Sequence, residues 1–439
     1  MRSSLHRRII TPIAIAAIAG LTLAGCSGGP GSTSSSAGAS GDGVVTIYGT
    51  IADTEAQLLE ESWADWEKAN NIDIQYESSK EFEAQISIRA QGGNAPDLAI
   101  FPQPGLMKDL ASRGYLKPAP KAVEDNADTG WSPDWKAYGT VDNTFYGAPL
   151  MASVKGYVWY SPAKFKEWGV TVPTTYDELV ALTKTIQEKT GTAPWCAGFG
   201  SGDATGWPGT DWVEDLVLRQ AGADTYDKWV TNEIPFTDPA IKTAFESVGE
   251  ILQNPAYVNA TFGDVKSINS VAFGDVATPV ANGTCAMTHQ ASFFDGFLTD
   301  AGATVGPDAA VWAFITPPIA AGKQAVTGGG EIVGAFSDDA DTQKVQEYLS
   351  SADWANSRVK LGGVISANKG LDPANATSPI LQDAIKILQD PETTFRFDGS
   401  DLMPGAVGAG TFWKGMVNWI NGTPVDDVLT SIEAGWPSS

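Results

Sequence analysis

Histidine is nearly missing from this 439-residue chain, with only His6 and His289 present. A Ser-His-Asp or Cys-His mechanism would have to run through one of them. His289 lies in Ala286-Met287-Thr288-His289-Gln290, which reads as a strand end, and no Gly-x-Ser-x-Gly elbow accompanies it. A structural or ligand-contacting histidine fits better than a catalytic one. Basic residues are also scarce, 28 Lys and Arg against 52 Asp and Glu. A surface this negative repels nucleic acid and anionic lipid, and it disfavours an anionic ligand. Cysteine is limited to three positions, none close to another. With so few histidines this leaves no Cys/His metal spacing, so neither metal nor cofactor is expected. After residue 25 no apolar run is long enough to span a bilayer. Carboxylate-pair chemistry is not excluded, because 52 acids offer many pairs.

The N-terminus carries Arg2, Arg7 and Arg8, then an apolar stretch from Ile9 to Leu23, then Leu23-Ala24-Gly25-Cys26. A basic region, a short apolar core and a small-residue site mark a secretory signal. The cysteine directly after Ala-Gly resembles the bacterial lipoprotein box. That resemblance implies cleavage after residue 25, acylation of Cys26, and an extracytoplasmic protein held at the cell membrane by lipid alone. Residues 26–43 are almost wholly Ser, Gly, Ala, Thr and Pro, which predicts a flexible tether. Removing residues 1–25 takes away three arginines and no acid, so the net charge of −24 becomes −27. The two remaining cysteines, Cys196 and Cys285, are expected to pair, since an exported compartment permits disulfides.

The roughly 395 residues after the tether exceed what one core usually holds, which predicts two domains. Residues 44–49, 72–76 and 97–101 read as strands, each followed by a helix, at 54–70, 82–91 and 105–113. This order predicts an α/β layer with a largely parallel sheet. Ligands of such sheets gather beyond the carboxyl ends of the strands, here the loops after Tyr48, Tyr76 and Phe101. Further strands are expected at 144–150, 156–160, 193–198, 283–290, 311–319 and 324–336. Helices are expected at 208–221, 239–253, 265–282, 340–360, 378–390, 411–421 and 425–434. One more begins at the capping pattern Thr175-x-x-Glu178. The return of strand character near residue 311 suggests that the chain crosses back.

Several passages in order resemble the extracellular solute-binding proteins of bacterial ABC sugar importers, nearest the maltodextrin and α-glucoside branch. They are Ala90-Gln91-Gly92-Gly93-Asn94-Ala95-Pro96-Asp97, Phe145-Tyr146-Gly147-Ala148-Pro149 and Trp195-Cys196-Ala197-Gly198. Trp207-Pro208-Gly209-Thr210-Asp211-Trp212, Phe395-Arg396-Phe397-Asp398-Gly399-Ser400-Asp401 and Phe412-Trp413-Lys414 continue the series. The likeness spans residues 44 to 436. It implies a two-lobed periplasmic-binding-protein-like α/β fold of type II, each lobe a sheet flanked by helices with the ligand cleft between. On that pattern residues 44–150 and 311–360 form one lobe, and 151–310 and 361–439 the other. It also implies a monomer without catalytic activity, which hands a di- or oligosaccharide of α-linked glucose type to the transmembrane subunits of an ABC permease. Two alternatives stay open: a secreted glycoside hydrolase, and a receptor of the same fold for a non-sugar.

Sugars offer apolar ring faces to aromatics and a rim of hydroxyls to carboxylates, amides and Arg. Among the 15 tryptophans, Trp63 and Trp66 lie on a helix face and are assigned to core. Trp207, in a Gly-rich loop, is a ligand candidate. The resemblance adds Trp413 and Phe293 as stacking positions, the latter just past Gln290. Polar candidates are Glu81 with Phe82 beside it, Gln103, Asp211, and Glu331 after the glycine run that includes Gly329. Arg396, Asp398 and Asp401 form a further charged cluster. The loop Pro102-Gln103-Pro104 lacks the acid that the maltodextrin type carries there.

Overall fold

The computed structural model describes residues 41–317, 325–390 and 392–437. The expected signal, the acylated Cys26 and the tether up to residue 40 lie outside the described residues. So does part of the strand expected at 311–319. The end of the expected tether is not free. Gly43 donates its N–H to Asp341 at 3.0 Å and accepts from Asp73 at 2.8 Å. No helix among the described residues is long and apolar enough to cross a membrane.

Nine strands build two sheets. They are β1 (Val44–Gly49), β2 (Asp73–Ser78), β3 (Leu98–Phe101), β4 (Gly147–Val154), β5 (Tyr157–Tyr160), β6 (Met287–Gln290), β7 (Trp312–Ile315), β8 (Ala325–Ala335) and β9 (Thr394–Phe397). In the larger sheet β1 lies between β2 and β3, parallel to both, as the alternating strand-helix order predicted. Its residues alternate between two cores. Val45 and Ile47 pack with Trp63, Ile74 and Leu98, while Tyr48 packs with Phe82, Ile86 and Phe101 on the other face. A parallel sheet covered on both faces reads as a run of apolar residues, and this one does.

The eleven-residue β8 is the spine of that sheet. Residues 332–335 run antiparallel to β3, residues 325–328 run parallel to β9, and the other edge pairs with β4 throughout. The smaller sheet is antiparallel, in the order β6-β5-β7. Between them stand only Lys155 and Gly156, which join β4 to β5. Gly156 has φ +81°, and a Cβ there would lie 2.2 Å from an Asp215 oxygen. Trp312–Ile315, expected in the first lobe, pairs with β5 of the smaller sheet. Thr394–Phe397, expected in the second lobe, is an edge of the larger one. The chain therefore crosses between sheets after residue 315, and β9 returns to the larger sheet near residue 394.

Local signals explain most helices. Thr175 Oγ1 accepts from the Glu178 N–H at 3.2 Å. The Glu178 carboxylate reaches back to Thr174, and Gly191 closes the helix Tyr176–Thr190 at φ 71°. Its buried Leu179, Leu182 and Ile186 form one face. The helix expected at 340–360 is two, because Ser351 caps a fresh start by accepting from Trp354 N–H at 3.1 Å. The helix expected at 265–282 is instead short turns at Val265–Asn269, Phe273–Val276 and Ala277–Ala281. Its backbone is used elsewhere, since Val271 accepts from Gly200 and Phe273 donates to Gly200. Residues 193–198 form no full strand. Trp195 bridges Val258 on one side and Met287 on the other, and Asn259 clamps Ala197 through both its amide atoms at 2.8 Å.

Cys196 and Cys285 are bonded, with Cα atoms 5.8 Å apart and 89 positions apart in sequence. The bridge ties this irregular segment to the residues just before β6. A closed loop of this length restricts the unfolded chain strongly. Replacing both cysteines by serine is expected to cost about 2–4 kcal/mol. Calorimetry should show a lower unfolding midpoint for the double variant, equal to that of the reduced native protein.

Candidate functional site

A cavity of about 1060 Å³ opens where the loops of the two sheets face each other. All three loops singled out from the strand order contribute to it. Thr50 and Glu55 follow β1, Lys80 and Glu83 follow β2, and Pro102 and Gln103 follow β3. The facing wall holds Trp207, Asn269, Phe273 and Phe293. The floor holds Lys155, Gly329, Glu331, Asp398, Asp401 and Trp413.

Eight of the thirteen sequence candidates line this space: Gln103, Trp207, Phe293, Gly329, Glu331, Asp398, Asp401 and Trp413. Five do not. Phe82 is fully buried between Tyr48 and Phe101, with ring centroids 5.1 and 5.6 Å away. It is a core residue, because the turn into the helix Phe82–Gly92 points it at the sheet. Glu81 is exposed at the start of that helix, and Glu83, two residues on, reaches the cavity instead. Gln290 is buried in β6, where its side chain accepts from the Ala291 N–H and its carbonyl accepts from Trp159. Arg396 grips Asp227 with two bonds of 2.6 and 2.8 Å, a structural pair away from the cleft. Asp211 sits behind the wall, 2% exposed.

The aromatic wall is a cluster of half-buried rings. Trp207 lies 5.1 Å from Phe273 and 6.2 Å from Phe293, and Phe273 lies 5.3 Å from Phe297. Trp207 starts the helix Trp207–Ala221, whose positions 207, 211, 215 and 219 recur at the four-residue step that keeps them on one face. That face meets the strand crossings. Gly206 has φ +117°, and a Cβ on it would lie 2.3 Å from the Trp413 carbonyl oxygen. The two tryptophan-bearing segments are thus held together at a position that favours glycine. Trp413 itself is 2% exposed and donates to Ser400 Oγ at 3.3 Å.

Under the wall lies an ionic cluster. Lys155 bonds Asp211 at 2.9 Å and also Asp398, and its ammonium lies 5.3 Å from the Trp207 ring. Burial works against the Lys155 charge, yet Asp211 and Asp398 more than reverse this and hold its pKa well above the usual value. Burial likewise pushes both acids up. In Asp398 the Lys155 bond and the Asp401 and Ser400 donors outweigh burial, so its pKa is lowered. In Asp211 burial and the neighbouring Asp398 win, and its pKa is raised well above normal. Glu214 accepts from the Gly399 and Ser400 N–H groups at 3.0 and 2.9 Å. The carboxylates of Asp211, Glu214 and Asp398 converge within 4.8 Å. The cation among them is Lys155. Farther along the same helix face, Asp215 bonds Arg219 at 2.7 Å, His289 at 2.8 Å and Thr327. His289 is therefore a structural partner at the crossing.

Sequence reasoning missed Lys155, Glu83 and Phe273. Lys155 carried a readable signal, a lone cation between two apolar strand runs. Glu83 and Phe273 lie on segments whose exact turn only the fold decides. At the far end Glu83 accepts from Gln103 at 3.0 Å, and burial raises its pKa. Glu331, half-buried on the floor, is pushed up to about 8 by burial and by nearby Glu55.

Two substitutions test this construction. Gly206→Ala should cost more than about 1–3 kcal/mol, adding a clash to a strained φ. Gly93→Ala, at φ +71° with open space around it, isolates the backbone part. Equal unfolding midpoints for the two variants would refute the close approach. Lys155→Met should destabilise by about 3–5 kcal/mol near neutral pH, leaving two buried carboxylates unpaired. In the native protein, Asp398 has a lowered pKa, so its contribution is complete above the unfolded value and fades as acid protonates it. Without Lys155 both acids are raised, so the variant should gain midpoint from about pH 7 to about pH 5. A parallel loss in both proteins would contradict the pairing.

Comparison with known proteins agrees with this architecture. Residues 49–357 match the family model of the bacterial extracellular solute-binding protein. The alpha-glucosides-binding periplasmic protein AglE of Rhizobium meliloti (strain 1021) is 39% identical over 406 residues, covering 90% of this chain and 87% of that one. The osmoprotective compounds-binding protein GgtB of Synechocystis sp. is 38% identical over 397 residues, covering 90% and 92%. Among solved structures, the bacterial solute receptor AcbH superimposes with a TM-score of 0.75 at 20% identity, covering 90% of this chain and 98% of that chain. AcbH shares the fold, two lobes around a cleft. With the family model spanning most of the folded region, the chain belongs to the bacterial extracellular solute-binding proteins.

Proposed function

We propose that this protein captures an α-glucoside, a di- or oligosaccharide of the maltose, trehalose, sucrose or maltooligosaccharide type, and delivers it to an ABC permease. One observation carries the reading. The cleft sets a wall of half-buried rings, Trp207, Phe273 and Phe293, against the acceptors Glu83 and Gln103 on the loops of the larger sheet. Rings suit sugar faces and acceptors suit hydroxyls. The likeness to an alpha-glucosides-binding protein over 90% of the chain supports the same class. The comparable likeness to GgtB adds polyhydroxylated osmolytes to the sugars worth testing.

The two lobes are the larger sheet and the smaller sheet with their helices, and they close on the ligand about the crossings near Lys155, Thr316 and Thr327. The protein works as a monomer and does no chemistry on its cargo. A lipid on Cys26 keeps it near the permease, and the Ser- and Gly-rich tether lets it turn to dock.

A ligand that binds only the folded form raises the unfolding midpoint, by about 2.7 kcal/mol of stability at a hundred times Kd. Maltose, trehalose, sucrose and maltotriose should be screened this way. At least one should shift the midpoint, and Trp207→Ala should weaken its binding about tenfold or more, at the scale of a lost aromatic contact. No shift with any of these sugars, or unchanged affinity in the variant, counts against the reading. Release of glucose from a chromogenic α-glucoside would favour a hydrolase instead.

A further inference from the structure

The polar atoms left unpaired in the cleft are of one kind. Gln103 is 5% exposed, and its Nε2 is committed to the Glu83 carboxylate, which when ionised can only accept. This fixes the amide orientation and leaves Gln103 Oε1 buried without a partner, as is Glu83 Oε2. Asn269, on the opposite wall, donates Nδ2 to the Val417 carbonyl at 3.0 Å, so its free and buried atom is again the oxygen, Oδ1. Buried acceptors without donors are costly, and a ligand that donates relieves them.

The charges repeat the pattern. Among the described residues, no side chain donates to Glu55, Glu331 or Asp401, which border the cleft. Only two lysines line it, and Lys155 is spent on Asp211 and Asp398. Lys80 remains, exposed at the rim. A ligand in this space meets acceptors on both walls and negative charge on the floor, and the aromatic faces of Trp207 and Phe273 add attraction for a cation. An anion meets carboxylates with no free buried cation to offset them.

We infer that the cleft selects by charge: it takes neutral glycosides, holds ammonium-bearing ones more tightly, and rejects anionic ones. This rests on the sugar-receptor reading of the cleft. The site thus distinguishes solutes of nearly equal shape through a single substituent, with an amine in place of a hydroxyl supplying both donors and charge. Glu83 and Gln103 are the specificity-determining pair at the end of the cleft formed by the larger sheet.

Two probe sets separate this inference from the reading beneath it. Calorimetric titration at pH 7 and low salt would compare trehalose, 2-amino-2-deoxytrehalose and trehalose 6-phosphate. Thermal shifts would compare glucose, glucosamine and glucose 6-phosphate at matched ionic strength. The amine should bind about tenfold tighter than its neutral parent, within the range of one screened charge contact. That advantage should shrink in about 0.5 M salt, and the phosphates should not bind. Glu83→Gln should narrow the ratio of amine to neutral affinity. If trehalose binds but the amine gains nothing, or the phosphate binds equally, the charge inference falls while the sugar reading stands. If no trehalose compound binds but glucosamine alone among the monosaccharides protects the fold, the α-glucoside reading falls and the charge inference stands. No response to any of the six overturns both.

Discussion

The ammonium of Lys155 is the constraint on which the rest of the site depends. It stands in the two-residue link between the sheets, is 6% exposed, and binds Asp211 of a helix in one lobe and Asp398 at the end of the larger sheet. A charge so placed is tolerated only with its counter-charges fixed. Each element it touches is therefore held in register with the others. Trp207, four residues before Asp211, takes its place from the same helix face. Asp398 in turn caps the short helix Gly399–Leu402 through Asp401, and Ser400 within it receives the Trp413 indole. Both tryptophans thus trace their positions to one buried cation.

Asp215 repeats the device one helical turn further along. It is the common partner of Arg219, His289 and Thr327, which come from its own helix, from β6 and from β8. Arg219 also donates to the Thr316 carbonyl, where the chain leaves the smaller sheet. Hydrogen bonds to both oxygens and the facing cations hold its carboxyl far below the ordinary range. A crossing built on directional charged bonds has a narrow set of geometries, whereas an apolar crossing could slide. If the lobes move on ligand binding, this network leaves few ways for them to do so.

Much of this was legible in the chain. The strand-helix alternation from Val44 to Ser112 gave a parallel sheet and named the three loops that reach the cleft, because that signal is periodic and local. The pairing of Cys196 with Cys285 followed from number and compartment. The failures share a cause. Glu81, Phe82 and Glu83 are adjacent, and whether one is exposed, core or cleft depends on the angle at which a helix leaves its loop. No periodicity encodes that angle. Arg396 and Asp398 are two residues apart on an edge strand and its exit, yet one pairs with Asp227 on the outside and the other with Lys155 within. The breaks at residues 193–198 and 265–282 were hidden because each segment borrows its hydrogen-bond partners from the other side of the lobe. Such pairings lie far apart in sequence, so only the assembled fold reveals them.

The division of labour across the cleft has a physical basis in the same pairings. The wall that carries the rings belongs to a helix and turns whose polar groups are already committed: Asn269 to Val417, Asp211 to Lys155, Thr210 to the Trp207 carbonyl. What that wall can still offer is apolar surface. The opposite wall is made of loop and helix starts after β1, β2 and β3, where carboxylates and amides remain only partly paired. What it can still offer is acceptors. A solute with an apolar face and a rim of donors fits both offers at once. A flat aromatic leaves the acceptors unpaired, and an anion sets its charge against theirs. Selectivity for donor-rich solutes thus follows from which polar groups folding itself has used up.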